Sequence, residues 1–125
     1  MVFVDRKPFP YHWAAADQWM VHYDASGTAG DPARRAEEKR VLEDPRGALG
    51  ERAWAAIVRI GERLDLDYCG LDFSVLPDGR VLVFEANATM LVHPEDEDGP
   101  LAYKNPMARA IAEAFQARLQ ALAGA

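Results

Sequence analysis

The chain has 125 residues, half of them hydrophobic, and its 20 Asp and Glu residues against 14 Lys and Arg give a formal charge of -6. A chain of this length can bury about two thirds of the surface that its unfolded form exposes, so we expect one domain spanning residues 1–125. The excess of acidic over basic residues argues against a nucleic-acid partner, because contacts to phosphates need a basic surface. Cys69 is the single cysteine, which excludes a disulfide framework and favours a reducing cytoplasm. With no run of about 18 apolar residues and no export signal, we expect a cytoplasmic protein without membrane contact.

The predicted helices begin at Asp-Pro or Asn-Pro dipeptides, because these place an N-cap side chain before a proline in the first helical turn. The three dipeptides are Asp31-Pro32, Asp44-Pro45 and Asn105-Pro106. The helices they predict run from Pro32 to about Glu43, from Pro45 to about Leu64 and from Pro106 to about Gly124. The last helix carries an apolar stripe of Met107, Ile111, Phe115, Leu119 and Leu122, which predicts a buried face.

Between the second and third helices the apolar period changes from 3.6 to 2, which predicts a β-hairpin. Its strands are Leu66–Leu76 and Arg80–Asn87, and Asp78-Gly79 is a dipeptide typical of a two-residue turn. Such a turn places Pro77 opposite Arg80. A weaker hairpin is predicted around Asp5 to Pro8, and the stretch from Thr89 to Tyr103 is predicted to be a loop with a solvated acidic turn at 95–98.

The predicted register of the hairpin places Asp72 directly opposite Glu85, with Asn87 on the same side of the ribbon. The predicted apolar face consists of Leu71, Phe73, Val75, Leu82, Phe84 and Ala86, and the polar face of Asp72, Ser74, Glu85 and Asn87. Two opposed carboxylates repel each other, and a divalent cation would relieve this repulsion. Two carboxylates and an amide oxygen suit Mg²⁺ or Mn²⁺. The spacing alone leaves open the alternative of an exposed hairpin end with unrelated polar residues.

The pattern Asp72-x12-Glu85-x-Asn87, within the segment from Leu66 to Asn87, resembles the C-terminal metal-binding segment of the ATP-grasp superfamily. This superfamily includes D-alanyl-D-alanine ligase and glutathione synthetase. The resemblance implies that these three residues hold two Mg²⁺ ions against the phosphates of ATP, and that the reaction forms an amide or similar bond through an acyl phosphate. A longer resemblance, to bacterial ATP-grasp domains sometimes joined to tetratricopeptide arrays, includes the segments 11–13, 19–23 and 85–94.

The sequence also departs from the ATP-grasp pattern. The upstream lobe, with its phosphate-binding lysines, glycine-rich flap and adenine hinge, has no counterpart here, and Gly70 stands where several members have an arginine. The resemblance therefore implies the C-terminal portion of the fold: a fragment, a split subunit or a degenerate relative. We expect the metal- and ATP-phosphate-binding half of a carboxylate-amine ligase, inactive by itself, whose acyl and amine substrates are unknown. The missing lobe in trans or a homodimer would complete it. The alternative is a non-catalytic binding or dimerisation module.

The three histidines, His12, His22 and His93, have spacings that fit no helical or zinc-finger pattern. We expect either His12 or His22 to face the substrate and the other to be partly buried. Cys69 should be buried on the same face as Leu71, and the tryptophans should serve packing; they are Trp13, Trp19 and Trp54. The predicted fold class is α+β, an antiparallel sheet whose apolar face is covered by the two long helices.

Overall fold

The computed structural model describes residues 1–14 and 27–124 and shows an α+β fold with a four-stranded antiparallel sheet, which confirms the predicted class. The strands are β1 (Val2–Val4), β2 (Lys7–Phe9), β3 (Tyr68–Val75) and β4 (Val81–Asn87), in the order β2-β1-β3-β4. The α-helices are α1 (Pro32–Glu43), α2 (Pro45–Leu49), α3 (Glu51–Leu64) and α4 (Asn105–Ala123). Short 3₁₀ helices cover Thr28–Gly30 and Ala102–Lys104. Among the described residues, β2 and β4 are therefore the edge strands.

All three predicted helix starts are confirmed, but only two of the three predicted N-caps form. The side chains of Asp31 and Asp44 accept hydrogen bonds from backbone N–H groups in the first turns of α1 and α2. The predicted second helix is divided by Gly50, whose φ of 85° no helix accommodates. Asn105 does not cap α4: its side chain instead exchanges hydrogen bonds with the backbone of Glu95, at 2.7 and 3.1 Å. It therefore anchors the preceding loop.

Both predicted hairpins form, but the second has a different turn. Val4 lies opposite Lys7, so the first turn consists of Asp5 and Arg6, which both have positive φ. In the second hairpin the N–H of Leu76 donates to the carbonyl of Arg80 at 2.8 Å. The loop therefore contains the three residues 77–79, and the predicted two-residue turn is wrong. Gly79, with a φ of 79°, takes the left-handed position that such a loop needs.

A β-bulge lies in the middle of β4. Phe73 pairs with Val83, whereas Asp72 pairs with Glu85, so Phe84 is the extra residue. Between the loop and the bulge the pairing is shifted by one residue, so the predicted apolar face is wrong near the turn. Leu82 pairs with Ser74 on the polar side and is 47% exposed, and Phe84 is 62% exposed. Val81 packs against the core instead.

The sheet buries both of its faces near β1. On one face Met1 and Phe3 pack with Cys69, Leu71 and Ile57 of α3. On the other, the cluster consists of Val2, Val4, Tyr11 and two residues of α4, Ala108 and Ile111. The prediction that both long helices cover one face is therefore wrong, because β1 is apolar on both sides. The position of Cys69 is as predicted, and burial raises the pKa of its thiol.

The apolar stripe of α4 is buried only in its first half. Ile111 is 1% exposed, but Phe115, Leu119 and Leu122 are 36, 51 and 48% exposed. The prediction of a fully buried stripe is therefore wrong for the second half, where the ring of Phe115 still contacts that of Tyr68. Among the helices of the described ranges, α4 included, none combines the length and apolarity that crossing a membrane requires.

Candidate functional site

Asp72 lies opposite Glu85 as predicted, but the loop and the strand pairing that bring them together differ from the prediction. The three-residue loop shifts the pairing by one residue, and the extra residue Phe84 shifts it back. Both carboxylate residues are exposed. Two acidic side chains directly across an antiparallel pair repel each other, so a cation between them would stabilise the hairpin.

The sheet face that carries these carboxylates is covered by other parts of the chain at one end and open to solvent at the other. Alternate residues of β3 share a face, so Tyr68, Gly70 and Asp72 point to the same side of the sheet. Tyr68 packs in the α4 cluster, and Met90 covers Gly70 so closely that a Cβ at position 70 would lie 2.7 Å from that of Met90. Position 70 thus has no room for the arginine of some ATP-grasp proteins. The face is covered as far as Gly70, and the next residue on it, Asp72, is exposed.

Asn87 lies two residues after Glu85 and opposite Gly70. Its Oδ1 accepts hydrogen bonds from the backbone N–H and from the hydroxyl of Thr89, both at 2.8 Å. These bonds fix the start of the segment 88–93, which carries Met90 over the sheet. A cation at this oxygen would replace at least one of them, so Asp72 and Glu85 are the better placed ligands.

The residues of the described ranges contain no group of three or more His, Cys, Asp or Glu side chains that could hold a metal ion. Asp72 and Glu85 supply two carboxylates. Any further ligands would be water, the amide of Asn87 or oxygens of a bound substrate, which is the usual situation of Mg²⁺ at phosphate-binding sites.

A buried polar cluster, formed by His12, Glu38, Glu95, Tyr103 and Lys104, lies between α1 and the start of α4. The ammonium nitrogen of Lys104 is 3.1 Å from Glu95 Oε1 and 4.0 Å from Glu38 Oε1. Tyr103 donates to Glu38 Oε2 at 2.6 Å. Burial, and then this bond to Glu38, raise the pKa of Tyr103. Lys104 is 1% exposed and Glu38 is fully buried, so both charges depend on these partners.

This cluster was missed at the sequence level. Glu38 belongs to a run of charged residues in α1, which predicts a solvated helix face, and Lys104 stands alone before Asn105. The sequence predicts a solvated acidic turn at Glu95, and this is wrong for its side chain, which is only 20% exposed and pairs with Lys104. No local signal distinguishes these residues from surface charges.

Of the histidines, His12 belongs to the cluster and His93 is exposed. His12 Nδ1 is 2.6 Å from Lys104 Nζ. Burial lowers the pKa of His12 to about 3, with further contributions from Lys104, the α-amino group of Met1 and His93. The predicted substrate residue His22 lies outside the described residues, as does Trp19. Trp13 packs at α1, where its ring N–H donates to a glutamate at 3.0 Å.

No protein-family model matches the chain, and no match is found among the curated proteins or the solved structures.

Proposed function

We propose that this chain is the metal- and ATP-phosphate-binding half of an ATP-dependent carboxylate-amine ligase of the ATP-grasp type. The observation that carries the proposal is the pairing of Asp72 with Glu85 across β3 and β4, on a sheet face that is open to solvent. A bound cation would relieve the repulsion of this pair, and the residue spacing resembles the ATP-grasp pattern.

The chemistry expected of this half is positioning and electrostatics. Mg²⁺ or Mn²⁺ would supply positive charge beside the phosphate oxygens of ATP. Asp72 and Glu85 would hold that charge in place, and Asn87 would orient the adjoining backbone. The adenine pocket and the phosphate-binding lysines would come from a second lobe, which would also exclude water from an acyl phosphate. The isolated chain should therefore bind ATP weakly, and only with a divalent cation.

Thermal unfolding with and without Mg²⁺ tests the metal site. A ligand at ten times its dissociation constant stabilises the folded state by about 1.4 kcal/mol, so millimolar Mg²⁺ should raise the melting temperature by several degrees. Glu85→Gln should abolish this shift, whereas the matched control Glu97→Gln, in the exposed acidic turn, should retain it. An undiminished shift in Glu85→Gln would place the ion elsewhere and refute the site.

A non-catalytic binding or dimerisation module is the second candidate, and the edge strand β4 favours it. Its side chains Leu82, Val83 and Phe84 are 47, 42 and 62% exposed, and exposed apolar edges are typical of interaction surfaces. Calorimetry with ATP and Mg²⁺, together with sedimentation equilibrium, separates the two candidates. Weak, metal-dependent ATP binding supports the ligase half; a dimer that binds no ATP supports the module. Micromolar or tighter ATP binding by the chain alone contradicts the half-site proposal.

A further inference from the structure

We propose that β4 pairs with β4 of a second copy of this chain, antiparallel and about a two-fold axis at Leu82. This pairing would join the two four-stranded sheets into one. The inference goes beyond the proposed ligase function and does not rest on it, because the residues that pair, 81–83, precede Glu85. It fixes which residues face each other across the axis, so it can be tested residue by residue.

The outer edge of β4, which no described strand covers, has little of the protection that strand edges usually carry. Such edges are commonly protected by lysine, by proline, by other charged side chains or by a bulge. The strand contains no Lys and no Pro, and Glu85 is its one charged residue. The bulge at Phe84 comes after residues 81–83. These three residues are therefore open to pairing with another strand.

The hydrogen bonds to β3 determine which backbone groups of β4 point away from the sheet. The carbonyl of Arg80 accepts from the N–H of Leu76 at 2.8 Å, so the backbone groups of Arg80 point toward β3. In an antiparallel pair, alternate residues exchange hydrogen bonds with the neighbouring strand. Leu82 therefore also bonds toward β3, whereas the N–H and C=O groups of Val81 and Val83 point outward.

A two-fold axis at Leu82 uses these outward groups in full. Val81 of each copy then lies opposite Val83 of the other, and each such pair exchanges both of its hydrogen bonds. Leu82 lies opposite the Leu82 of the second copy, at a non-hydrogen-bonded position, where side chains approach most closely. Each Leu82 is 47% exposed in the single chain, so the two side chains would remove each other from water.

The same register brings opposite charges together, which favours a second copy as the occupant of this edge. Arg80 lies two residues before Leu82 and therefore on the same face. It would face Phe84 of the second copy, with Glu85 next to it on that face. Arg80 Nε bonds to Asp78 at 2.6 Å, and the guanidinium group has further N–H donors for a carboxylate. The axis repeats this contact, so each copy's Arg80 approaches the other's Glu85.

The two neighbouring registers that use the same outward groups are less favourable. An axis at Val81 would place Leu82 opposite Arg80, which replaces an apolar contact by a charge. An axis at Val83 would carry the pairing through the bulges of both strands and place Val81 opposite Glu85. The axis at Leu82 pairs apolar side chains with each other and ends before the bulge.

Disulfide cross-linking of the full 125-residue chain tests the register. In Leu82→Cys the two Cα atoms would lie about 4.5 Å apart, which a disulfide can span. The matched variant is Val83→Cys, at a similarly exposed position. Its two Cα atoms would lie about 8 Å apart, so Leu82→Cys should form the covalent dimer at least about tenfold faster. The unmodified chain, whose Cys69 is buried, should form none. Equal rates for the two variants, or no dimer of Leu82→Cys, would overturn the proposal.

Sedimentation equilibrium tests the association without a covalent bond. Leu82→Asp should raise the dissociation constant of the dimer at least about tenfold, because two carboxylates would face each other at the axis. The matched control Leu91→Asp changes another exposed leucine and should leave the dissociation constant unchanged. Arg80→Gln should weaken the dimer at low salt and much less at high salt.

Three results would refute the interface. The first is a chain that stays monomeric at high concentration, which would leave the edge to a strand of a different protein. The second is a dimer that Leu91→Asp weakens as much as Leu82→Asp does, and the third is a dimer that Arg80→Gln does not weaken at low salt. None of these measurements uses Mg²⁺ or ATP, so a failure of the interface is distinguishable from a failure of the metal site.

Discussion

Acid should destabilise this fold through His12. The pKa of His12 is about 3 in the folded chain and about 6.5 in an unfolded one. Because the folded value is the lower one, the unfolded state binds the proton more readily. The contribution to stability is complete above about pH 6.5 and is lost as the pH falls toward 3. A pH of about 5 lies about 1.5 pH units below the pKa of the unfolded histidine. Protonation therefore stabilises the unfolded state by about 2 kcal/mol at this pH.

A difference measurement isolates this contribution from those of the carboxylates. Urea unfolding at about pH 7 and about pH 5 should show that His12→Asn loses about 2 kcal/mol less than the unmodified chain. An asparagine side chain does not titrate, and its amide oxygen can accept a hydrogen bond from Lys104. His93→Asn is the comparison, because His93 is exposed and makes the smallest of the contributions that lower the pKa of His12; its loss of stability should stay close to that of the unmodified chain. An equal loss in His12→Asn and the unmodified chain would refute the reasoning.

Two further substitutions, also measured by urea unfolding, test packing and capping. Gly61→Ala should destabilise the fold by about 1 to 3 kcal/mol, because its Cβ would lie 2.5 Å from the Phe3 ring and 2.7 Å from the Arg6 carbonyl oxygen, which outweighs the gain of about 1 kcal/mol in helix propensity. Gly30→Ala meets no atom within 4 Å and should not destabilise; equal effects of the two would contradict the packing argument. Asp31→Ala should cost about 1 kcal/mol through the lost N-cap, and an unchanged stability would mean that the cap contributes nothing.

Local signals predicted the elements of this fold well. Asp31 and Asp44 start helices as expected, because a cap and a proline act within one turn of chain. The hairpin was predicted from alternation and from Asp78-Gly79. The loop length was not, because a glycine at positive φ serves both two-residue and three-residue loops. Asp72 lies opposite Glu85 as predicted only because the extra residue in the loop and the extra residue in the bulge shift the pairing in opposite directions.

Contacts between distant residues escaped prediction. Glu38 and Lys104 are 66 positions apart, and the sequence around each is that of an ordinary surface charge. Their burial depends on how α1, the segment of Tyr11 to Trp13 and the start of α4 pack together. The same limit applies to the faces of β3: which helix covers which side follows from the whole sheet and not from the alternation within a strand.

The bulge at Phe84 compensates for the extra residue in the loop, so the hairpin has the same length as one with a regular ladder. A two-residue turn with a regular ladder and a three-residue loop with a bulge both leave Asp72 opposite Glu85. The two backbones differ only at the tip, where the observed one turns Leu82 and Phe84 outward and Val81 inward. The loop and the bulge together therefore decide which apolar side chains the tip exposes and leave the position of the carboxylate pair unchanged.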